Sequence, residues 1–263
     1  MNYIFIDSKD GIEKVGVVEN NRLVEFYTDG EGHRKYAGNI YRGRVMDVLS
    51  GMEAAFIDIG EEKNAYLYIK NALPKERIYT NIQPNIKDII KSGEEIIVQV
   101  LKEASHNKGA KVTTHITLPS RFLVLTPFSN KISISRKING EDEIDRLKEI
   151  GRNMMVEDIG MIFRTRASEM DKDLLIDEYH MLVDIFKKIE REKNFLPCPK
   201  LIYKEMDLSY QIIRDVFSDK IDRIVINDEE KYNSLLSFQD FISPKLKENL
   251  FLQKDFDIDI QDN

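Results

Sequence analysis

Cysteine is nearly missing from this chain: Cys198 is the only one in 263 residues. A single thiol excludes an internal disulfide and a cysteine cluster for metal, and it suits a reducing compartment. Flanked by Pro197 and Pro199, it reads as a structural thiol. Histidine is scarce too, and His33, His106, His115 and His180 have no spacing suited to a zinc site. No apolar run approaches the roughly 20 residues that cross a bilayer, and the N-terminus lacks a basic-then-apolar signal. The expectation is a cytoplasmic protein with no membrane span. A G-x-S-x-G elbow, a P-loop and a dinucleotide fingerprint are all absent, so those chemistries have no footing here. There is no internal repeat and no low-complexity segment.

What remains is a folded, charge-rich chain, 42% hydrophobic and 32% charged, long enough for one large or two modest domains. The net charge of −7 argues against a protein that coats nucleic acid indiscriminately. The charge is uneven, however: −2 over residues 1–35, +1 over 36–117 and −6 over 118–263. Any nucleic-acid contact must therefore be local, made by a few cations and rings.

The stretch 38–73, GNIYRGRVMDVLSGMEAAFIDIGEEKNAYLYIKNAL, organises the reading. Strand-length apolar runs are punctuated by Gly43, Gly51 and Gly60. Side chains alternate in a strand, so Ala55, Ile57 and Ile59 point into a core while Phe56 shares the other face with Asp58. The next run repeats this, with Ala65, Leu67 and Ile69 inward and Tyr66, Tyr68 and Lys70 outward. Aromatic rings on the wet face of consecutive strands, near Arg42, Arg44 and Lys70, suit single-stranded nucleic acid. Bases stack on rings and cations hold phosphates. Alternation alone leaves a second reading open, in which the rings cover another segment of the same protein.

The ordered runs GNIYRGRV, EAAFIDIG, AYLYIKNAL, GEEIIVQVLKE and NKGAKVTTHITLPSRFLVL resemble the opening half of the ribonuclease E/G family. The resemblance implies an α/β or α+β fold, a ribonuclease-H-like domain carrying an inserted S1 barrel of the OB type. It implies residues 1–35 as the first part of that domain, 36–117 as the S1 barrel, and 118–263 as the remainder. It also implies an RNA surface at Phe56, Tyr66 and Lys108, to which alternation adds Tyr68 and proximity adds Arg42 and Arg44. Lys108 has a second reading as a solvated loop lysine. A pocket for a 5′-monophosphate is implied at Arg164 and Thr165, with Arg136 and Lys137 bordering the RNA path or forming surface ion pairs. A guanidinium offers two parallel donors to phosphate oxygens, and a hydroxyl adds a third. Neighbours in a regular strand point to opposite faces, so Arg164 and Thr165 reach one phosphate only if the strand ends or bulges there. Arg166, following that pair, departs from the small residues usual in the family.

The family's catalytic carboxylates hold a divalent metal, Mg2+, that activates water. By this resemblance they lie beyond Asn263, so the chain is expected to bind RNA without cutting it. No metal or cofactor is expected on the chain itself. The aspartate-rich tail 255–262 reads as solvated surface. The expected partner is single-stranded RNA, with a homo-oligomer open for the complete protein. The alternative is a non-catalytic S1-type RNA-binding or ribosome-associated module.

Along the chain, residues 2–7, 12–19 and 22–27 read as a β-meander, and 31–37 as a polar link. Residues 71–92 read as a connection with one short helix, 93–102 as a strand and 104–111 as a polar loop. Further strands are expected at 121–126 and 131–136 around a 127–130 turn, and at 160–166 and 223–226. Helices are expected at 142–152, 171–193, 207–217 and 229–241. In the longest of these, Leu174, Leu175, Leu182, Phe186 and Ile189 recur near helical spacing.

Overall fold

A computed structural model describes residues 1–29, 36–72, 84–105, 107–193, 195, 197–218, 220–237 and 246–254. The 31–35 part of the polar link, residues 73–83 of the 71–92 connection, His33, His106 and the acidic tail lie outside them. The chain forms two units, one from residues 1–35 and 206–263, the other from 36–205.

The chain opens with a meander, β1 (Tyr3–Lys9), β2 (Ile12–Glu19) and β3 (Arg22–Thr28). Both connections are two-residue turns, Asp10-Gly11 and Asn20-Asn21, with all four residues at positive φ. Such turns match the twist of paired strands, and Gly, Asn and Asp tolerate that backbone best.

The 36–205 unit begins with β4 (Ile40–Leu49), β5 (Ala54–Asp58), β6 (Ala65–Tyr68), α1 (Ile69–Ala72) and α2 (Ile86–Ile89). It continues with β7 (Glu95–Lys102) and β8 (Lys111–Thr113). These five strands close in the order β4-β5-β6-β8-β7 with β7 back on β4, and only the β6–β8 pair is parallel. This is a closed barrel of the OB type. Its interior is filled by Val45, Ala55, Ile57, Ala65, Leu67, Val98, Val100 and Val112, all essentially buried, with Ile86 of α2 joining them. The expected inward set is thus inside, although the chain turns helical at Ile69 rather than continuing as strand.

The same unit then forms β9 (Leu118–Pro119), β10 (Leu123–Pro127), β11 (Ser129–Ile134), α3 (Glu141–Met154) and β12 (Ile159–Phe163). It ends with α4 (Lys172–Glu192) and β13 (Lys200–Tyr203). The strands β10 and β11, expected around one turn, do not pair with each other. β12 lies between them, antiparallel to β10 and parallel to β11. α4 presents Leu175, Tyr179, Leu182, Val183, Phe186 and Ile189 to the core at three- and four-residue spacing. Leu174 corrects the expected apolar face, being 52% exposed while Leu175 is fully buried. β13, not foreseen, pairs with β4. The sequence reading joins 118–263 to 1–35; in the structure 118–205 cluster with the barrel and 206–263 with residues 1–35.

The first unit resumes with α5 (Leu208–Val216), β14 (Arg223–Ile226), α6 (Glu229–Ser237), α7 (Leu246–Asn249) and β15 (Leu250–Leu252). The sheet order is β15-β14-β1-β2-β3, with β14 parallel to β1 and β15 parallel to β14. Its core joins Ile4, Ile6, Val15, Val17, Ile224 and Ile226 to Tyr210, Ile213 and Phe217. Strands from both ends of the chain make one mixed sheet, which is the ribonuclease-H-like arrangement with the barrel inserted. Asp7, 2% exposed, accepts from the Asn227 side chain (2.6 Å), and Asn227 Oδ1 accepts from the Ser8 N–H (2.8 Å). That exchange ties β1 to the end of β14.

Tyr179 is a polar anchor within the larger core. Its hydroxyl donates to the Ile159 carbonyl (2.7 Å) and accepts from the Val156 N–H (3.0 Å), fixing the entry into β12. Replacing it with phenylalanine keeps the packing but strands both backbone groups. Tyr179→Phe is expected to destabilise the protein by about 1–3 kcal/mol, read as a lower urea midpoint with unchanged slope.

Candidate nucleic-acid interface

Barrel closure leaves Phe56 and Tyr66 on the outer surface, directly opposite each other across β5 and β6. Each ring is partly exposed, and Tyr68 next to them is 42% exposed. The Tyr66 and Tyr68 rings meet edge to face at 5.5 Å. Lys111 of β8 lies opposite Tyr66, and its Nζ stands 5.7 Å from the Tyr68 ring centre. Three rings and a cation thus share one strip of surface, suited to stacking unpaired bases. Lys108 is exposed on the turn leading into β8. That turn lies against β6, where Tyr66 N–H donates to the Ala110 carbonyl (2.8 Å). A Cβ at Gly109 would come within 1.9 Å of the Asn64 carbonyl oxygen, so only glycine permits this approach.

The structure does not bring Arg42 to the rings. Phe56 pairs with Asp47, five residues along β4 from Arg42, or roughly 15 Å at strand rise. Arg42 and Arg44 both grip Glu95, the Arg44 contact at 2.8 Å. Hydrogen bonding from Arg44, with Arg42 beside it, holds the Glu95 carboxyl below its usual range. Arg42 instead borders a cleft of about 490 Å³ with Ile97, His115, Phe128 and Lys193. Arg44 is closer, opposite Asp58, two positions from Phe56 on the same outer face.

The second cluster forms where β12 stops. Arg164 is extended (φ −77°, ψ 165°), and Thr165–Ala167 make one 3-10 turn, so the alternation of a strand no longer separates the two side chains. Arg164 N–H donates to the Phe122 carbonyl (2.7 Å), and its Nη1 donates to the Ser120 carbonyl (2.6 Å). The Thr165 and Ser135 hydroxyls are 2.9 Å apart. Arg136 and Lys137 are exposed immediately after Ser135, whose Oγ accepts from the Lys137 N–H (3.3 Å). The arrangement offers a guanidinium, hydroxyls and flanking cations to an anion. Arg166 is partly buried in the same turn. Among the described residues, no three His, Cys, Asp or Glu side chains are grouped to hold a metal ion.

A profile of the ribonuclease E/G family matches residues 117–261. Ribonuclease G of Escherichia coli (strain K12) is 32% identical over 243 residues, covering 90% of this chain and 50% of that protein. Ribonuclease E of Haemophilus influenzae is 34% identical over 220 residues, covering 81% of this chain and 23% of that protein. A ribonuclease E/G-like protein of Pyropia yezoensis is 35% identical over 191 residues, 72% of this chain and 37% of its own length. The chain belongs to the ribonuclease E/G family. It spans about half the length of the curated ribonuclease G relatives it matches.

Within this ribonuclease E/G chain, four neighbours of the sites escape a reading of the sequence. Lys111 reaches the rings only through the parallel β6–β8 pairing. Ser120 and Ser135 touch Arg164 and Thr165 from segments 44 and 30 residues away. Glu178 of α4 is the fourth: its Oε1 accepts both the Phe122 and Leu123 N–H groups at 2.8 Å. Burial pushes the Glu178 carboxyl from its usual 4.5 up to about 7, against the pull of those two amides, the Ser120 hydroxyl and Arg121.

Two outcomes follow from this geometry. Gly109→Ala is expected to separate the turn from β6 and to lower both thermal stability and RNA affinity, while the equivalent change at open Gly51 is expected to do neither. For Glu178, the folded chain binds its proton more tightly than the unfolded chain. This group's contribution therefore falls as pH rises from about 4.5 to about 7. Urea midpoints at pH 5 and pH 7.5 are expected to drop more with rising pH in the wild type than in Glu178→Gln.

Proposed function

We propose that this chain is the N-terminal RNA-binding part of a ribonuclease E/G-type endoribonuclease acting on single-stranded RNA in RNA processing and decay, ribosomal RNA included. The observation that carries the proposal is the Phe56–Tyr66 pair on the outer face of a closed OB-type barrel, flanked by Tyr68 and Lys111. The family membership supplies the reaction class. The end of β12 at Phe163 supports sensing of a 5′-monophosphate, because it lets Arg164 and Thr165 serve one anion. Cleavage in the complete protein would draw on Mg2+ and on carboxylates outside the residues named here, and a homo-oligomer is part of the same proposal. Among the described residues no helix is long and apolar enough to cross a membrane; a cytoplasmic location is part of the same proposal.

Stacking of one base is worth roughly 1–3 kcal/mol. Phe56→Ala combined with Tyr66→Ala is therefore expected to weaken binding of a short single-stranded RNA at least tenfold in an anisotropy titration. Unchanged affinity would remove the barrel from the RNA path. Binding is expected to weaken with salt at a shallow slope, since few phosphates are neutralised. For the second cluster, the wild type is expected to bind 5′-monophosphorylated RNA more tightly than 5′-hydroxyl RNA, and Arg164→Ala to abolish the difference.

A further inference from the structure

The turn between β9 and β10 is where Arg164 makes two of its contacts, to the carbonyls of Ser120 and Phe122. It is a tight turn, closed by the Ser120 N–H donating to the Leu123 carbonyl at 2.8 Å. The direction in which its carbonyls point depends on where its amides are held, because each peptide plane rotates as one body. Two of those amides, Phe122 and Leu123, converge on a single oxygen, Oε1 of Glu178.

Glu178 stands out from its surroundings. It is 8% exposed, on a helix face otherwise lined by Leu175, Tyr179, Leu182, Val183 and Phe186. An acid there is costly, as its raised proton affinity records, and an apolar residue would complete the stripe. What the acid supplies is an acceptor for two amides that would otherwise be buried without a partner. The groups facing it are those amides, the Ser120 hydroxyl and the Arg121 guanidinium.

We propose that Glu178 is a positioning residue for the 5′-phosphate site. By gripping the Phe122 and Leu123 amides and the Ser120 hydroxyl it holds the turn on both sides of Arg164: the Leu123 amide shares its peptide plane with the Phe122 carbonyl that receives the Arg164 N–H, and Ser120 carries the carbonyl that receives the guanidinium. It thereby sets how strongly a 5′-monophosphorylated RNA end is preferred over a 5′-hydroxyl one. This rests on the reading of Arg164 and Thr165 as phosphate ligands. Glu178 touches no RNA itself.

The test compares Kd for 5′-monophosphorylated and 5′-hydroxyl forms of one short RNA, using the full chain and its Glu178→Gln and Glu178→Leu variants. Glutamine keeps the amide-accepting oxygen, whereas leucine keeps the bulk and removes it. The expected result is a preference in the wild type retained within about twofold by Glu178→Gln and reduced to about unity by Glu178→Leu. Affinity for the 5′-hydroxyl form, read by the barrel, is expected to stay the same in all three. If Glu178→Leu does not fold, Glu178→Ala, whose smaller side chain admits water, reads the same ratio. A preference fully retained without the carboxylate overturns the positioning role while leaving the phosphate site standing. Equal loss in the glutamine variant overturns it as well. Absence of any preference in the wild type overturns the phosphate site and the inference together.

Discussion

Closure of the five-stranded barrel is the constraint on which the proposed RNA-binding surface depends. A sealed barrel of this size has an interior filled by side chains, and strand alternation assigns every second residue to it. In β5 and β6 the inward places are taken by Ala55, Ile57, Ala65 and Leu67, each with no measurable exposure. Phe56 and Tyr66 then have no place inside. The register sets them opposite each other on the outside, and the parallel β6–β8 pairing brings Lys111 beside them.

Electrostatics refines the surface more than it creates it. An acidic chain presents RNA with a repulsive average field, and attraction has to come from groups near the path. Glu95 takes up Arg42 and Arg44 as a clamp across β4 and β7, which lowers the field those two cations project. Lys108 on its turn and Lys111 at the start of β8 remain close to the rings, and Arg136 and Lys137 follow Ser135 beside Thr165. The second cluster is a different solution to the same problem: one guanidinium aimed by backbone carbonyls, with hydroxyls beside it. There, a carboxylate hidden in the core of its unit acts through the backbone rather than through its own charge.

The sequence was most legible where the determining pattern is local. Alternation placed Ala55, Ile57, Ala65 and Leu67 inside and Phe56, Tyr66 and Tyr68 outside, because a strand's period depends on its own residues. Helical spacing found α4, yet it could not separate Leu174 from Leu175, since one residue of rotation decides which faces the core. Strand β13 was invisible because Lys200–Tyr203 is short and is defined by its partner β4, some 160 residues earlier. The order β11-β12-β10 was likewise hidden, as proximity in sequence suggests pairing that β12 prevents. Glu178 carried no signal at all: in a helix rich in acids it reads like its solvated neighbours, and only the turn folding over it sets it apart.

Photo-crosslinking of a short single-stranded RNA to the chain, with mass-spectrometric mapping of the modified peptides, addresses the barrel surface most directly. The expected adducts fall on the β5 and β6 peptides, at Phe56, Tyr66 or Tyr68, and compete away with unmodified RNA. Adducts confined to the mixed sheet of the other unit, with none on β5 or β6, would contradict the assignment of the barrel face as the place where RNA is bound.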